Sequence, residues 1–172
     1  MNIDKITTNT TLSEIIKAED FETTSAIEEI LSFPKDKLAK FNNICGIKGP
    51  LVRIAQLMIY ACEGDGVISD DEKNEAMRIF EKWNKSTEDH IDATILWNSA
   101  RHNYKAKGLS CILDNAKIFK DFLSIPALNN IVSEMIQSSK GDWLDTKEEK
   151  IIHTIVMYWY GKIDEEQLNK LL

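Results

Sequence analysis

Two stretches of the chain match each other: Asp65–Glu72 reads DGVISDDE, and Gly141–Glu148 reads GDWLDTKE. Each combines turn-forming residues with an acidic helix start, and each lies between two apolar runs of helical period. The offset from Asp65 to Gly141 is 76 positions, and the same offset carries Trp83 onto Trp159. A chain that repeats helix, elbow and helix in this way is constrained to pack two like halves around one core. The expected fold is all-α, a single compact multi-helix domain with two pseudo-symmetric helix–elbow–helix halves.

The rest of the chain agrees with that class. Only seven Gly and three Pro interrupt 172 residues, and 43% of residues are hydrophobic. Straight-chain helix formers are common, and Val is scarce. In Pro50–Glu63 the residues Leu51, Ile54, Ala55, Leu57, Met58, Ala61 and Cys62 make a wide apolar stripe. Ser69 then caps a helix from about Asp70 to Lys85, with Ala76, Met77, Phe80 and Trp83 inward. Ser86 caps a helix from about Glu88 to Tyr104, with Ile91, Ile95, Leu96 and Ala100 inward. Further helices are predicted over about Leu109–Phe122, Pro126–Ser139, Thr146–Tyr160 and Asp164–Leu171, with Gly161 stopping the third of these. Short helices over Leu12–Ala18, Thr23–Leu31 and Lys35–Asn42 make residues 1–49 an N-terminal helical extension of the same domain. Residues 50–172 are its main part.

Charge and cysteine usage narrow the functional classes. A formal net charge of −7 disfavours nucleic acid and anionic membranes, and it suits cations or basic partners. The patch of Arg101, Lys105 and Lys107 reads as a solvated connector. Cys45, Cys62 and Cys111 form no C-x-x-C and are odd in number, so free thiols in a reducing compartment are expected. Met1–Thr11 is polar, and Ile151–Tyr160 is much shorter than the ~20 residues of a membrane span. The expectation is a cytoplasmic protein without direct membrane insertion.

The elbows carry the chemistry. Aligned as the second half of a calcium loop, Asp65, Gly66, Ile68 and Glu72 have the required types, but the first ligand position would fall on Ala61. A normal calcium loop is therefore not the reading. Asp65, Glu72, Asp142, Asp145 and Glu148 are hard oxygen donors of the kind Ca²⁺ or Mg²⁺ takes. No Cys/His cluster competes for zinc. Ser69 with Glu72, and Asp145 with Glu148, also have the spacing of capping boxes, which need no metal. Both readings stand at this point: caps alone, or caps together with a weak cation site.

The duplicated pattern resembles the TerB-like, tellurite-resistance family. The first copy is IAQLMIYACEGDGVISDDEKNEAMRIF, matching at Asp65, Gly66, Ile68, Ser69 and Glu72. The second is IVSEMIQSSKGDWLDTKEEKIIHTIV, matching at Leu144, Asp145 and Glu148. The resemblance covers about Pro50–Gly161. In the second copy the order Asp-Gly is exchanged to Gly141-Asp142, which moves the carboxylate by one position. The resemblance implies a non-enzymatic protein of a tellurite-resistance, stress or defence system. It also implies a divalent cation at the acidic clusters and Ter-type or other protein partners. The other reading is a purely structural helical protein–protein interaction module without metal.

Other candidates are weaker. His90, His102 and His153 are scattered, and His153 reads as a packed or hydrogen-bonded histidine. Cys62 has no histidine at informative spacing, so a Cys–His enzyme is not supported. A metal-dependent hydrolase would need positioned bases that the sequence does not supply. Trp143 is either a staple of the second elbow or an anchor for a partner.

Overall fold

The computed structural model describes residues 3–45, 49–62, 70–84, 92–139 and 146–172. The elbow residues Asp65, Asp142, Trp143 and Asp145 and the cap position Ser86 lie outside the described residues. Among the described residues the chain forms ten α-helices and no strand. They are α1 Leu12–Ile16, α2 Ala26–Leu31, α3 Lys35–Cys45, α4 Gly49–Cys62, α5 Asp70–Asn84, α6 Ala93–Lys107, α7 Leu109–Phe122, α8 Ile125–Ser139, α9 Thr146–Trp159 and α10 Glu165–Leu171. The all-α fold expected from the sequence is the fold observed.

Helix α4 is the axis of the molecule. Every residue from Ile54 to Ile59 is buried, including Gln56. A helix apolar around its whole circumference must be enclosed by neighbours. Helices α6, α7, α8 and α9 all pack on α4. The core around it holds Phe80, Trp97 and Phe119, each fully buried. Trp159 reaches in from α9, and its indole N–H donates to the Ala116 carbonyl at 2.9 Å, so the buried polar end of the ring is satisfied.

Residues ahead of α4 belong to the same core. Ile6, Leu12, Ile15, Ile27, Ile30 and Phe41 are all buried in the main hydrophobic cluster. Helix α1 begins with a complete capping box, in which Thr11 accepts from the Glu14 N–H and Glu14 returns the bond. Helix α2 lies against the start of α8. The Ala26 N–H donates to Asn130 at 3.0 Å, and Asn129 donates to the Glu22 carbonyl at 2.9 Å. The carboxylate of Glu29 receives the Ser124 N–H at 2.9 Å and the Ser124 hydroxyl. His153 lies 2.6 Å from the Thr10 carbonyl, and because that oxygen can only accept, Nε2 carries the proton. It is the hydrogen-bonded histidine expected.

One prediction fails on α6. Ile95 was expected inward and is instead 60% exposed. The helix begins at Ala93, after Asp92, whose carboxylate accepts from the N–H groups of Thr94 and Ile95. Ala93, Leu96, Trp97 and Ala100 are the buried positions, at spacings of three and four. That stripe leaves Ile95 on the opposite face. The expected helix ran from about Glu88; of its inward residues Leu96 and Ala100 are buried, and Ile91 lies outside the described residues.

Helix α9 ends as its sequence predicts. Gly161 has φ +75°, its N–H bonds the Tyr158 carbonyl at 3.1 Å, and the Lys162 N–H bonds the Met157 carbonyl at 2.8 Å. This pair of bonds is the Schellman motif, and it turns Ile163 back into the core.

Candidate functional site

Two interactions fix how the helices bordering the elbows run. Gln137 of α8 donates to Glu75 of α5 at 3.1 Å. Further along α5, Arg78 and Lys82 act on Glu134, one turn back along α8. Residue numbers rise on α5 as they fall on α8, so the two helices are antiparallel. Tyr160, just past α9, hydrogen-bonds Asn129 near the start of α8, so α9 is antiparallel to α8 as well. The first turns of α5 and α9 therefore both lie at the end where α8 terminates.

The five acidic candidates fall differently on this frame. Glu72 is the third residue of α5, and Glu148 is the third residue of α9. The structure brings these two helix starts to one end of α8. The Glu148 side chain is buried, with 3% of its surface exposed. Asp70 and Asp71 beside Glu72 are exposed, as are Lys147 and Glu149 beside Glu148. Asp65, Asp142 and Asp145 lie outside the described residues. Among the described residues no group of three or more His, Cys, Asp or Glu side chains is arranged to hold a metal ion. The side chain of Glu72 also lies outside the described residues, and Glu148 alone falls far short of the six to eight oxygens Ca²⁺ takes. A complete ligand set needs the elbow aspartates and water.

The sequence reading missed a charged seam between α5 and α8. Glu75 is ion-paired with Arg78 on its own helix and accepts from Gln137. Glu134 is the buried member, 6% exposed, and its Oε2 is enclosed without a hydrogen-bond donor. Burial pushes its carboxyl above the usual glutamate value. The charges of Lys82 and Arg78 and the Asn130 amide pull it back only in part, and Glu75 adds to the rise. A signal for it was present, because Glu134 continues the buried line of Ala127 and Ile131 on α8. A carboxylate on an apolar stripe marks a special environment.

A second buried polar group lies between α4 and α7. Asn115 donates to Gln56 at 2.8 Å and accepts from Arg53 at 2.6 Å, and the Cys111 thiol contacts Gln56 at 3.0 Å. Cys111 is a buried free thiol, as expected. The group crosslinks the two helices, with the Arg53 Nε enclosed beside it without an acceptor. Tyr160 is likewise structural: burial pushes its hydroxyl up to about 12, and it stays neutral on Asn129.

No helix among the described residues is long and apolar enough to cross a membrane. Comparison with protein-family models, with curated proteins and with solved structures finds no match to this chain.

Proposed function

We propose that the chain is a non-enzymatic TerB-like protein of a tellurite-resistance, stress or defence system. Its paired acidic helix starts hold a divalent cation weakly, and it acts through a protein partner. The observation that carries the cation reading is the course of α8. Because α8 runs against both α5 and α9, Glu72 and Glu148 belong to helix starts at one end of the bundle. Two carboxylate-bearing first turns at one end of α8 are the arrangement in which a shared cation would draw hard oxygen donors from both elbows. Asp65 and Asp142 are the remaining donors of the proposed set, with Asp145 as cap and outer ligand.

The structural-module reading has its own support. Thr11 with Glu14, and Asp164 with Gln167, form complete capping boxes of the same spacing from side-chain and backbone hydrogen bonds. Calorimetric titration of chelator-treated protein with Ca²⁺ and with Mg²⁺ separates the two. The cation reading expects saturable binding of one ion, a melting point raised by mass action, and loss of both in Glu72→Gln. Absence of binding by either ion in wild-type protein leaves the interaction module.

A further inference from the structure

Helix α3 carries charge of the sign opposite to the molecule's. It holds three lysines, Lys35, Lys37 and Lys40, against one acid, Asp36, whereas the whole chain has a formal net charge of −7. From Lys35 to Ile44 only Phe41 is buried and Leu38 half-buried, and the other side chains are exposed. Phe41 is held edge-on between Phe33 and Phe122, at 5.6 and 5.1 Å between ring centres. That anchor ties α3 to the end of α7 and leaves a groove of about 680 Å³ between the two helices. Lys37 and Lys40 line it from α3, Ala39 and Phe122 give it an apolar part, and Asp36 and Asp121 also border it. At the end of the helix Ile44 is 46% exposed, and the half-buried Arg53 donates to its carbonyl at 3.2 Å. Among the described residues Lys35, Lys40 and Arg53 make no ion pair, and the Lys37 ammonium lies 4.2 Å above the centre of the Phe33 ring.

We propose that this groove docks an acidic, amphipathic segment of a partner protein, with carboxylates on Lys37, Lys40 and Arg53 and apolar side chains against Ala39, Phe122 and Ile44. That a partner exists at all rests on the function proposed above; the cation plays no part in the docking. Cations without carboxylate partners offer charge complementarity to an acidic segment, and the acidic remainder of the surface turns such a segment toward this one face. The apolar side chains supply the desolvated contact that charge alone does not. The same lining selects a peptide over a polyanion. Asp36 and Asp121 stand beside the lysines, and a phosphate backbone of even charge meets both signs, whereas a peptide can place its carboxylates at the cations alone.

The test titrates the full chain with three labelled probes: a peptide of Leu and Glu with its leucines along one helical face, the same peptide with Lys in place of Glu, and a short single-stranded oligothymidine. Fluorescence anisotropy measures binding, and backbone amide shifts locate it. The Leu/Glu peptide is expected to bind saturably, more tightly at low salt, and to shift the amides of Lys37–Ile44 and Phe122 first. Lys37→Glu combined with Lys40→Glu should weaken it about tenfold or more, and Ile44→Ser should weaken it as well. These side chains are exposed, and melting points equal to wild type show that both variants fold. Chelation of divalent ions should leave the binding unchanged, so failure of the cation reading does not register here. Leu/Glu binding that survives the double charge reversal, or no Leu/Glu binding to wild-type protein, would overturn the groove. Tighter binding of oligothymidine would replace the peptide with a polyanion. Preference for the Leu/Lys peptide, with shifts on the acidic surface, would overturn the groove and leave the partner reading standing.

Discussion

At the scale of single residues, Glu134 stands apart because its buried charge is poorly matched. A carboxyl whose pKa is raised on folding favours the folded state fully below its unfolded pKa, and that contribution is lost as pH rises through the folded pKa. Glu134 is such a group. Glu134→Gln should therefore melt higher than wild type at neutral pH, and the difference should shrink as the pH falls through the Glu134 step. Melting curves between mildly acid and neutral pH check this, and a variant less stable than wild type at neutral pH would mean the charge is well compensated. This residue was only partly foreshadowed by its sequence position. Its helical stripe was legible, yet which acidic side chain would be enclosed depends on where α5 docks, and no local pattern encodes that.

At the scale of elements, the helices were legible because capping and period agreed along most of the chain. Gly161 and the Asp164 cap were readable from residue type alone, since few residues tolerate φ +75° or supply a side-chain acceptor to a helix start. Gly161→Ala meets no neighbouring atom within 4 Å, so its cost is conformational. A loss of about 1 kcal/mol is expected from chemical denaturation, through strain in the left-handed region. Helix α6 shows where the reading ran out. The expected inward set joined Ile95 to Leu96 and Ala100, whereas the buried line runs through Ala93, Leu96, Trp97 and Ala100, and Trp97 is the core aromatic. Ile95→Lys should change stability by less than about 0.5 kcal/mol, as surface substitutions do. Asp92→Ala, which removes the cap, should cost about 1 kcal/mol. Equilibrium unfolding of the two variants side by side distinguishes the observed phase from the one first expected.

At the scale of the whole molecule, the N-terminal segment is integral to the fold. Ile6, Leu12, Ile15, Ile27 and Ile30 are buried. Each large aliphatic side chain contributes roughly 2 kcal/mol on burial, and a domain's net stability is about 5–15 kcal/mol. Removing residues 1–31 should abolish cooperative unfolding, and a truncated chain that still melts sharply would show an independent core. The sequence indicated that this segment is a helical extension of the same domain. It could not indicate how, because Asn129, Asn130 and Ser124, which hold the segment, look like ordinary polar residues of a helix start. The candidate cation site was legible in a similar way. The repeated acidic starts were evident in residue types, whereas their position at one end of α8 depends on helix directions that only packing decides.

The central claim is that the starts of α5 and α9 share one cation. Paramagnetic Mn²⁺, used as a stand-in for Ca²⁺ or Mg²⁺, tests it directly when added in small amounts while amide resonances are observed. The account predicts that the amides of Asp70–Glu72 and those of Lys147–Glu148 broaden together at the lowest Mn²⁺ additions, before the exposed acidic groups at Asp114, Glu165 and Glu166. Both should recover when Mg²⁺ or Ca²⁺ is added. Broadening confined to one helix start, or equal at every exposed acidic group, would contradict a shared site and leave the two elbows as caps.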